Sequence, residues 1–322
     1  MLPLFHPNPL LRNGHVQTCM AALLPRKIQT LRFEHILLKD GDILELHWLD
    51  AQDPTAPTVL LMHGMEGSVH SPYIQGMLNI IKQLGWRAAV LHMRGCQGRI
   101  NLLPQCYHAG KTDDIELTLN HIKTHYLQSR QIFAIGYSLG GNQLLKFLGE
   151  NPAQNFITAA VAVSIPFDLE ACTRCIHQGF NQVYERRFLR SLKNTIEQKL
   201  QRNMDMPVSS QKLQEIKTLY DFDDQVTAPL HGFAGANEYY SRSSCGQFLS
   251  SIKTPTYILH AEDDPFIPKS VIPLPAQVSS AVTLNIQRYG GHVGFINLSL
   301  WSKPHYWLEK TIPLYLKNTA KI

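Results

Sequence analysis

The sequence predicts an α/β fold, in which a mostly parallel sheet is covered by helices on both faces and carries a helical insertion. Two observations support this prediction. Short apolar runs, each with the length of a buried strand, alternate with segments whose apolar residues recur at helical spacing. That alternation is typical of parallel sheets buried between helices. One long segment, from about residue 167 to 250, contains helical patterns and no convincing strand.

The elements of the first half follow from apolar spacing and from turn residues. We predict two strands between residues 33 and 48, joined by a turn at Lys39-Asp40-Gly41-Asp42, because Asp-Gly is a strong hairpin signal. The other predicted elements here are helices over 72–84 and 112–126 and strands over 58–62, 87–92 and 131–135.

The second half predicts strands over 157–165, 256–260 and 282–287 and a closing helix over 304–316. Between the first two strands, two groups of apolar residues repeat at helical spacing: Phe188, Leu192, Ile196 and Leu200, and then Leu213, Ile216 and Tyr220. We interpret residues 167–250 as a helical cap inserted into a core formed by residues 1–166 and 251–322. The alternative is that these helices simply cover the sheet.

The composition is that of an ordinary globular protein and excludes few classes of function. The chain has 322 residues, 44% of them hydrophobic, and a formal net charge of +5. That charge is mild for this size and does not indicate a nucleic-acid partner. The nearest approach to a basic cluster is Arg186-Arg187 with Arg190. We interpret it as a solvated helix face rather than a phosphate or lipid-headgroup site.

The cysteine pattern and the first residues predict a cytoplasmic protein. Six scattered cysteines do not form a disulfide framework. Cys172 and Cys175 form a C-x-x-C pair, but no second ligand pair completes a zinc site. The proline-rich start lacks the pattern of a signal peptide, and no apolar run predicts an integral membrane segment. We therefore expect no cofactor and no metal, and peripheral contact with a membrane stays open.

Gly136-Tyr137-Ser138-Leu139-Gly140 matches the G-x-S-x-G pattern of a nucleophile elbow. A predicted strand precedes it and residues 141–148 read as a helix, which is the strand–turn–helix context that the motif requires. The small residues allow neighbouring backbone to pass close to the strained serine. The pattern therefore predicts that Ser138 is a nucleophile.

A serine nucleophile needs a base, and the base needs an orienting carboxylate. In this sheet architecture the expected chain order is serine, acid, histidine. His292 follows the last predicted strand in a glycine-rich loop, and Glu262-Asp263-Asp264-Pro265 follows the strand before it. We choose Asp264 as the acid over Asp263 because it immediately precedes the proline, and we expect Asp263 and Glu262 to stabilise the loop or to be solvated.

A tetrahedral intermediate also requires two preorganised hydrogen-bond donors. The backbone N–H of Leu139, directly after the serine, is one candidate. The loop after the strand over 58–62, His63-Gly64-Met65-Glu66-Gly67, supplies the second, and we choose the N–H of Met65. We expect His63 and Glu66 to brace this loop.

Five motifs together resemble the YheT-type branch of the α/β-hydrolases. They are His63-Gly-Met-Glu-Gly67, His92-Met-Arg-Gly-Cys96, Gly136-Tyr-Ser-Leu-Gly-Gly-Asn142, His260-Ala-Glu-Asp-Asp-Pro-Phe266 and Gly290-Gly-His-Val-Gly-Phe295. Residues 12–18 resemble the amino-terminal signature of that branch, and residues 221–228 with 231–233 resemble its cap-end signature. The branch includes acylglycerol lipases, phospholipases and fatty-acid ethyl ester synthases/esterases. The resemblance implies an α/β-hydrolase fold and a triad of Ser138, Asp264 and His292 that acts on carboxylic esters. We expect no counterpart of the membrane anchor of some eukaryotic relatives, so their membrane residence is not carried over.

The leading hypothesis for the function is a serine carboxylic-ester hydrolase. Its substrate would be a small-molecule ester or a lipid, with a short or medium acyl chain or an acylglycerol, held under cap residues Phe180, Phe188 and Leu189. An alcohol acyltransferase that uses the same triad is the first alternative. A non-catalytic binding protein on the same fold is the second, although such proteins commonly lose a member of the triad and here all three are present.

Overall fold

An eight-stranded sheet forms the centre of the computed structural model, which describes residues 4–96, 100–126, 128–129, 131–299 and 302–321. The strands are β1 (Arg32–Leu37), β2 (Ile43–Leu49), β3 (Thr58–Met62), β4 (Arg87–His92), β5 (Ile132–Tyr137), β6 (Ile157–Val163), β7 (Thr256–Ala261) and β8 (Val282–Gln287). Their order in the sheet is β1-β2-β4-β3-β5-β6-β7-β8. Strand β2 runs antiparallel to β1 and β4, and the strands from β4 to β8 are parallel. The predicted fold class is therefore confirmed.

Helices cover both faces of this sheet, and further helices lie in the chain between β6 and β7. They are α1 (Gly14–Leu23), α2 (Pro72–Gln83), α3 (Asp113–His125), α4 (Leu139–Glu150), α5 (Leu169–Ile176), α6 (Gln182–Gln201), α7 (Ser210–Glu215), α8 (Leu219–Phe222), α9 (Ala228–Leu230), α10 (Ala236–Ser243) and α11 (Trp307–Ala320). Because side chains alternate along a strand, Val59 and Leu61 of β3 pack with α2 and α11 on one face. Leu60 and Met62 pack with α3 and α4 on the other. Among the described helices, none has the length and apolar character needed to cross a bilayer.

The chain between β6 and β7 forms helices and no strand, and part of it has a small core of its own. Leu189 and Ile196 of α6 pack there against Leu213, Phe222 and Val226. The repeat from residue 213 to 220 is not one helix, so that detail of the prediction is wrong. Helix α7 ends at Glu215, and α8 starts anew after Thr218, whose hydroxyl caps it by accepting from the Asp221 N–H at 3.0 Å. The division into core and cap at residues 167 and 250 stays a prediction.

Two elements near the chain ends differ from the prediction. Residues predicted to open the closing helix instead form a strand, Ser302–Tyr306, which pairs antiparallel with Ile296–Ser299 as a separate two-stranded sheet. Helix α11 therefore begins only at Trp307. Helix α1 was not predicted at all, and it is capped by the Asn13 side chain, which accepts from the Val16 N–H at 3.1 Å.

Candidate active site

Ser138 lies in the sharp turn between β5 and α4. Its φ of 51° and ψ of −118° are values that non-glycine residues rarely adopt. A Cβ atom at Gly136 would lie 2.5 Å from the carbonyl oxygen of Gly140, and one at Gly140 would lie 2.5 Å from that of His63. The turn therefore holds its strained serine because its two glycines let three backbone segments approach one another.

The structure brings the three predicted triad residues into one hydrogen-bonded chain. His292 Nε2 lies 2.9 Å from Ser138 Oγ, and His292 Nδ1 lies 2.8 Å from Asp264 Oδ2. The Asp264 side chain is completely buried. With Nδ1–H donated to the carboxylate, Nε2 is left to accept the serine proton, which is the orientation that a general base requires.

Asp263 and Asp264, although adjacent, have different partners. The second carboxylate oxygen of Asp264 accepts from the Phe266 N–H at 2.9 Å, which fixes the side chain toward His292. Asp263 instead accepts from the Gly291 N–H at 2.8 Å, and its partial burial raises the pKa of its carboxyl. Asp263 thus ties the acid loop to the histidine loop, as expected for a loop-stabilising residue. Glu262 is partly exposed and pairs with the Lys269 ammonium at 3.1 Å.

The two residues predicted to form the oxyanion hole, Met65 and Leu139, both line the cavity beside Ser138. Leu139 is the first residue of α4, so its N–H has no acceptor within the helix. In the other loop, the N–H groups of Gly64 and Glu66 donate to the hydroxyls of Tyr73 at 2.9 Å and Tyr107 at 3.2 Å. No acceptor for the Met65 N–H occurs in the described part of the chain. The action of Met65 and Leu139 as an oxyanion hole stays a prediction.

The loop that carries Met65 is braced from two sides. Glu66, at a φ of 53°, accepts from the Tyr107 hydroxyl at 2.9 Å and, with its other oxygen, from the Ser191 hydroxyl of α6. Burial raises the pKa of the Glu66 carboxyl. The oxyanion loop is thereby connected directly to the inserted helices. The sequence predicted that Glu66 braces this loop, but no local pattern predicted the contacts of Tyr73 and Tyr107 with it.

His63 has a structural environment rather than that of an acid or base. Its Nδ1–H donates to the Gly64 carbonyl at 2.8 Å, and its Nε2 accepts from the Met93 N–H at 3.2 Å. Complete burial lowers the pKa of His63 to about 4, so the ring is neutral at pH 7. This agrees with the bracing role expected from the sequence.

Helix α1 supports the histidine loop from outside the sheet, a role that sequence reasoning missed. The Thr18 hydroxyl accepts from the His292 N–H at 2.9 Å and donates to the Gly14 carbonyl at 2.7 Å. The Gln17 side-chain amide bonds both the N–H and the carbonyl of Ile296, at 2.8 and 2.9 Å. The available signal was the resemblance of residues 12–18 to a family signature, which carries no indication of what those residues contact.

Ser138 and His292 open into a cavity of about 490 Å³ between the sheet and the inserted helices. Most of its lining is apolar. Phe188 lines it as predicted, but Leu189 is buried inside the cap and Phe180 is exposed to solvent, so the prediction is wrong for these two. For Leu189 the reason is the rotation of α6, since adjacent helical positions face different directions. Phe180 lies outside α6, in the short 3₁₀ turn Gly179–Asn181 that precedes it.

Among the described residues, one group of side chains has the composition of a metal site: Glu45, His47 and His92, on the neighbouring strands β2 and β4. The geometry does not fit a metal ion. The Val69 N–H donates to His92 Nε2 at 2.8 Å, so the proton of the neutral ring is on Nδ1. That protonated atom faces Glu45 Oε1 at 3.4 Å and has no lone pair to offer.

Comparison with known proteins identifies the family. A family model described as the alpha/beta hydrolase fold matches residues 57–297. The chain belongs to the α/β-hydrolase family. It is 38% identical to YheT of Escherichia coli (strain K12) over 308 residues, which cover 94% of this chain and 90% of the relative. YheT is named as an esterase by inference. The chain is therefore a YheT-like member of that family.

Two further similarities are more distant. Human phospholipase ABHD3 is 26% identical over 323 residues, covering 97% of this chain and 78% of the relative. The crystal structure of esterase Pf2001 from Pyrococcus furiosus superimposes with a TM-score of 0.58 at 15% identity, covering 91% of this chain and 98% of the other. At that level of identity the structural likeness shows the fold alone.

Proposed function

We propose that this α/β-hydrolase cleaves carboxylic esters through an acyl-enzyme formed on Ser138. Its classification as an enzyme of the esterase and lipase type follows from its family. The observation that supports the finer proposal is the hydrogen-bonded chain from Asp264 through His292 to Ser138, placed beside two backbone amides in one apolar cavity.

In the first half of the reaction, Ser138 Oγ attacks the ester carbonyl while His292 Nε2 accepts the serine proton. Asp264 stabilises the imidazolium that forms and holds the ring in position. The carbonyl oxygen becomes an oxyanion and accepts hydrogen bonds from the amides of Met65 and Leu139. One such donor typically contributes on the order of 100-fold or more to kcat.

The first half ends when this oxyanion collapses: the C–O bond to the alcohol breaks, His292 gives its proton to the leaving alcohol, and the acyl group remains on Ser138. The second half is hydrolysis of this acyl-enzyme. A water molecule then enters, gives its proton to His292 and attacks the acyl carbonyl. Collapse of the second oxyanion releases the carboxylic acid and restores the serine. The same two amides stabilise both oxyanions, so they act twice in each turnover.

The apolar cavity supports an ester with a short or medium acyl chain, or an acylglycerol-type lipid, as the substrate. Its volume of about 490 Å³ lies within the range of small-molecule sites. The similarity to a phospholipase and an esterase supports the same choice of substrate.

We place the protein in the cytoplasm, where it can also contact a membrane surface peripherally. All six cysteines are free, which is the state that a reducing compartment maintains.

Stopped-flow kinetics with p-nitrophenyl esters of two to twelve acyl carbons test this proposal. We expect a burst of one p-nitrophenolate per protein, followed by slower turnover, and kcat/KM that rises with chain length until the cavity is filled. The Ser138→Ala protein should show neither phase. Turnover in the Ser138→Ala protein equal to that of the wild type would contradict the proposal.

Transfer of the acyl group to an alcohol is the second candidate. The apolar lining of the cavity favours it, because an apolar alcohol competes well with water in such surroundings. Product analysis with an ester and added alcohol distinguishes the two activities. Free acid as the only product would exclude transfer.

A further inference from the structure

One face of helix α6 forms part of the wall of the catalytic cavity. The residues on it are Tyr184, Arg187, Phe188 and Ser191. Their spacing of three and four residues places them on one side of the helix. Three of the four are uncharged. Arg187 therefore brings a permanent positive charge to a cavity whose lining is otherwise mostly apolar.

Arg187 has no hydrogen bond or ion pair with any residue in the described ranges. The other charged residue of the cavity lining is Glu66, and its carboxylate is already bonded to Tyr107 and Ser191. The guanidinium of Arg187 thus has up to five N–H donors available to a molecule in the cavity. Arg187 and Arg190 are both exposed to solvent, as the interpretation of a solvated helix face expects, but of the two only Arg187 also lines the cavity.

We propose that Arg187 forms an anion-binding subsite, which selects acyl esters that carry a phosphate or carboxylate group away from the scissile bond. This inference rests on the proposed function, since it names the substrate class of the same site. Ser138 and His292 lie on the core side of the cavity, and Arg187 lies on the side formed by α6. One substrate molecule can therefore place its ester at Ser138 and its charged group at Arg187 on α6.

The chemistry of arginine suits this role. A guanidinium offers parallel N–H donors that match two oxygens of a phosphate or a carboxylate, and it remains charged at every physiological pH. Because Arg187 is exposed to solvent, its contribution should lie at the low end for a hydrogen bond to a charged group. We expect about a tenfold gain in affinity for an anionic ligand.

Isothermal titration calorimetry with three non-hydrolysable ligands tests the subsite directly. Dodecyl phosphate, laurate and 1-O-dodecylglycerol share a chain of twelve carbons and differ in their head groups. Each is used below its micelle concentration. The proteins are the wild type, Arg187→Gln, Arg187→Lys and, as a matched control on the same helix, Arg190→Gln.

The wild type should bind dodecyl phosphate about tenfold more tightly than dodecylglycerol. Arg187→Gln should remove that preference, Arg187→Lys should retain part of it, and Arg190→Gln should leave it unchanged. Tighter binding of dodecyl phosphate than of laurate would show that the subsite prefers a phosphate group. Equal binding of the two would show that it accepts any anionic head group.

Equal affinity of the wild type for the charged and neutral ligands would overturn the subsite. So would an equal loss of anion binding in Arg187→Gln and Arg190→Gln, since that would indicate a general surface charge. These measurements involve no ester cleavage. If the proposed hydrolysis is wrong, the p-nitrophenyl ester assay will show it. The binding comparison still decides whether Arg187 binds an anion.

Discussion

Asp264 and Asp263 show how two identical neighbouring side chains acquire different roles. Asp264 is completely buried, contacts His292 Nδ1 at 2.8 Å and is fixed by the Phe266 N–H. Asp263 accepts only from the backbone of the histidine loop, at Gly291. A buried carboxylate on the ring stabilises the imidazolium, whereas a bond to a backbone N–H only positions the loop.

We therefore expect Asp264→Asn and Asp263→Asn to differ strongly. In Asp264→Asn the amide can impose the wrong tautomer on His292, and kcat should fall about 10³- to 10⁴-fold, as is typical of such triads. In Asp263→Asn the amide oxygen still accepts from Gly291, so kcat should fall less than about tenfold. Steady-state kinetics on one p-nitrophenyl ester measure both. Similar losses in the two variants would contradict the assignment of the acid.

The predicted site residues share one property, which is that each follows a strand in a short, locally recognisable segment. Ser138, His292 and Asp264 could therefore be placed from the sequence. Thr18, Tyr73 and Tyr107 could not. Thr18 accepts a hydrogen bond from His292, 274 positions away in the chain. The residues next to a single threonine or tyrosine do not indicate which distant residue its hydroxyl will contact.

At the scale of elements, helix α1 is a support for the histidine loop. Its Thr18 hydroxyl is the acceptor for the backbone N–H of His292, and its Gln17 amide bonds Ile296 twice. The helix also contacts α6, because Tyr184 Oη lies 3.2 Å from His15 Nδ1 and 3.4 Å from Cys19 Sγ. One short helix thus links the proposed base to the wall of the cavity.

Replacement of Thr18 by valine should lower kcat and leave KM almost unchanged. Valine keeps the shape of the side chain but leaves the His292 N–H without an acceptor, which costs about 1–3 kcal/mol and misplaces the ring. On that basis we expect a loss in kcat of about ten- to 100-fold. Thr18→Ser, which keeps the hydroxyl, should restore most of the activity. A rise in KM with unchanged kcat would show that α1 shapes the cavity instead.

The strands and helices that the sequence predicted correctly are those with strong apolar periodicity, such as β3, α2 and α3. The strand Ser302–Tyr306 was predicted as helix because its pairing with Ile296–Ser299 is a tertiary contact that local spacing does not encode. Helix α1 was missed for a similar reason. Two of its buried side chains, Gln17 and Thr18, are polar, so it lacks a continuous apolar stripe.

At the scale of the whole molecule, buried titratable groups should dominate the response to acid. His63 and His260 are fully buried, and burial lowers the pKa of each to about 4. Because each ring binds its proton near pH 6.5 only when unfolded, its stabilising contribution is complete above pH 6.5 and is lost as pH falls toward 4. Asp223 acts in the opposite direction, since burial raises the pKa of its carboxyl to about 6.

The free energy of unfolding should therefore decrease between pH 6 and pH 5. Each such histidine takes up about one proton on unfolding, which corresponds to about 1.4 kcal/mol per pH unit. Burial also lowers the pKa of His92, His108 and His231, so these rings add to the slope. His260→Gln should reduce the slope by about 1 kcal/mol per pH unit, and Asp223→Asn should increase it by a similar amount. Urea unfolding at pH 6.0, 5.5 and 5.0 measures the slopes. Equal slopes in all three proteins would contradict this account.

The central claim is that Ser138 is a nucleophile activated by His292, and labelling with a fluorophosphonate tests it most directly. Intact-mass measurement and peptide mapping of the folded protein should show one adduct per chain, on Ser138. The adduct should be absent from Ser138→Ala and should form at least about 100-fold more slowly in His292→Asn. A folded wild-type protein that remains unlabelled, or that is labelled at a residue other than Ser138, would contradict the claim.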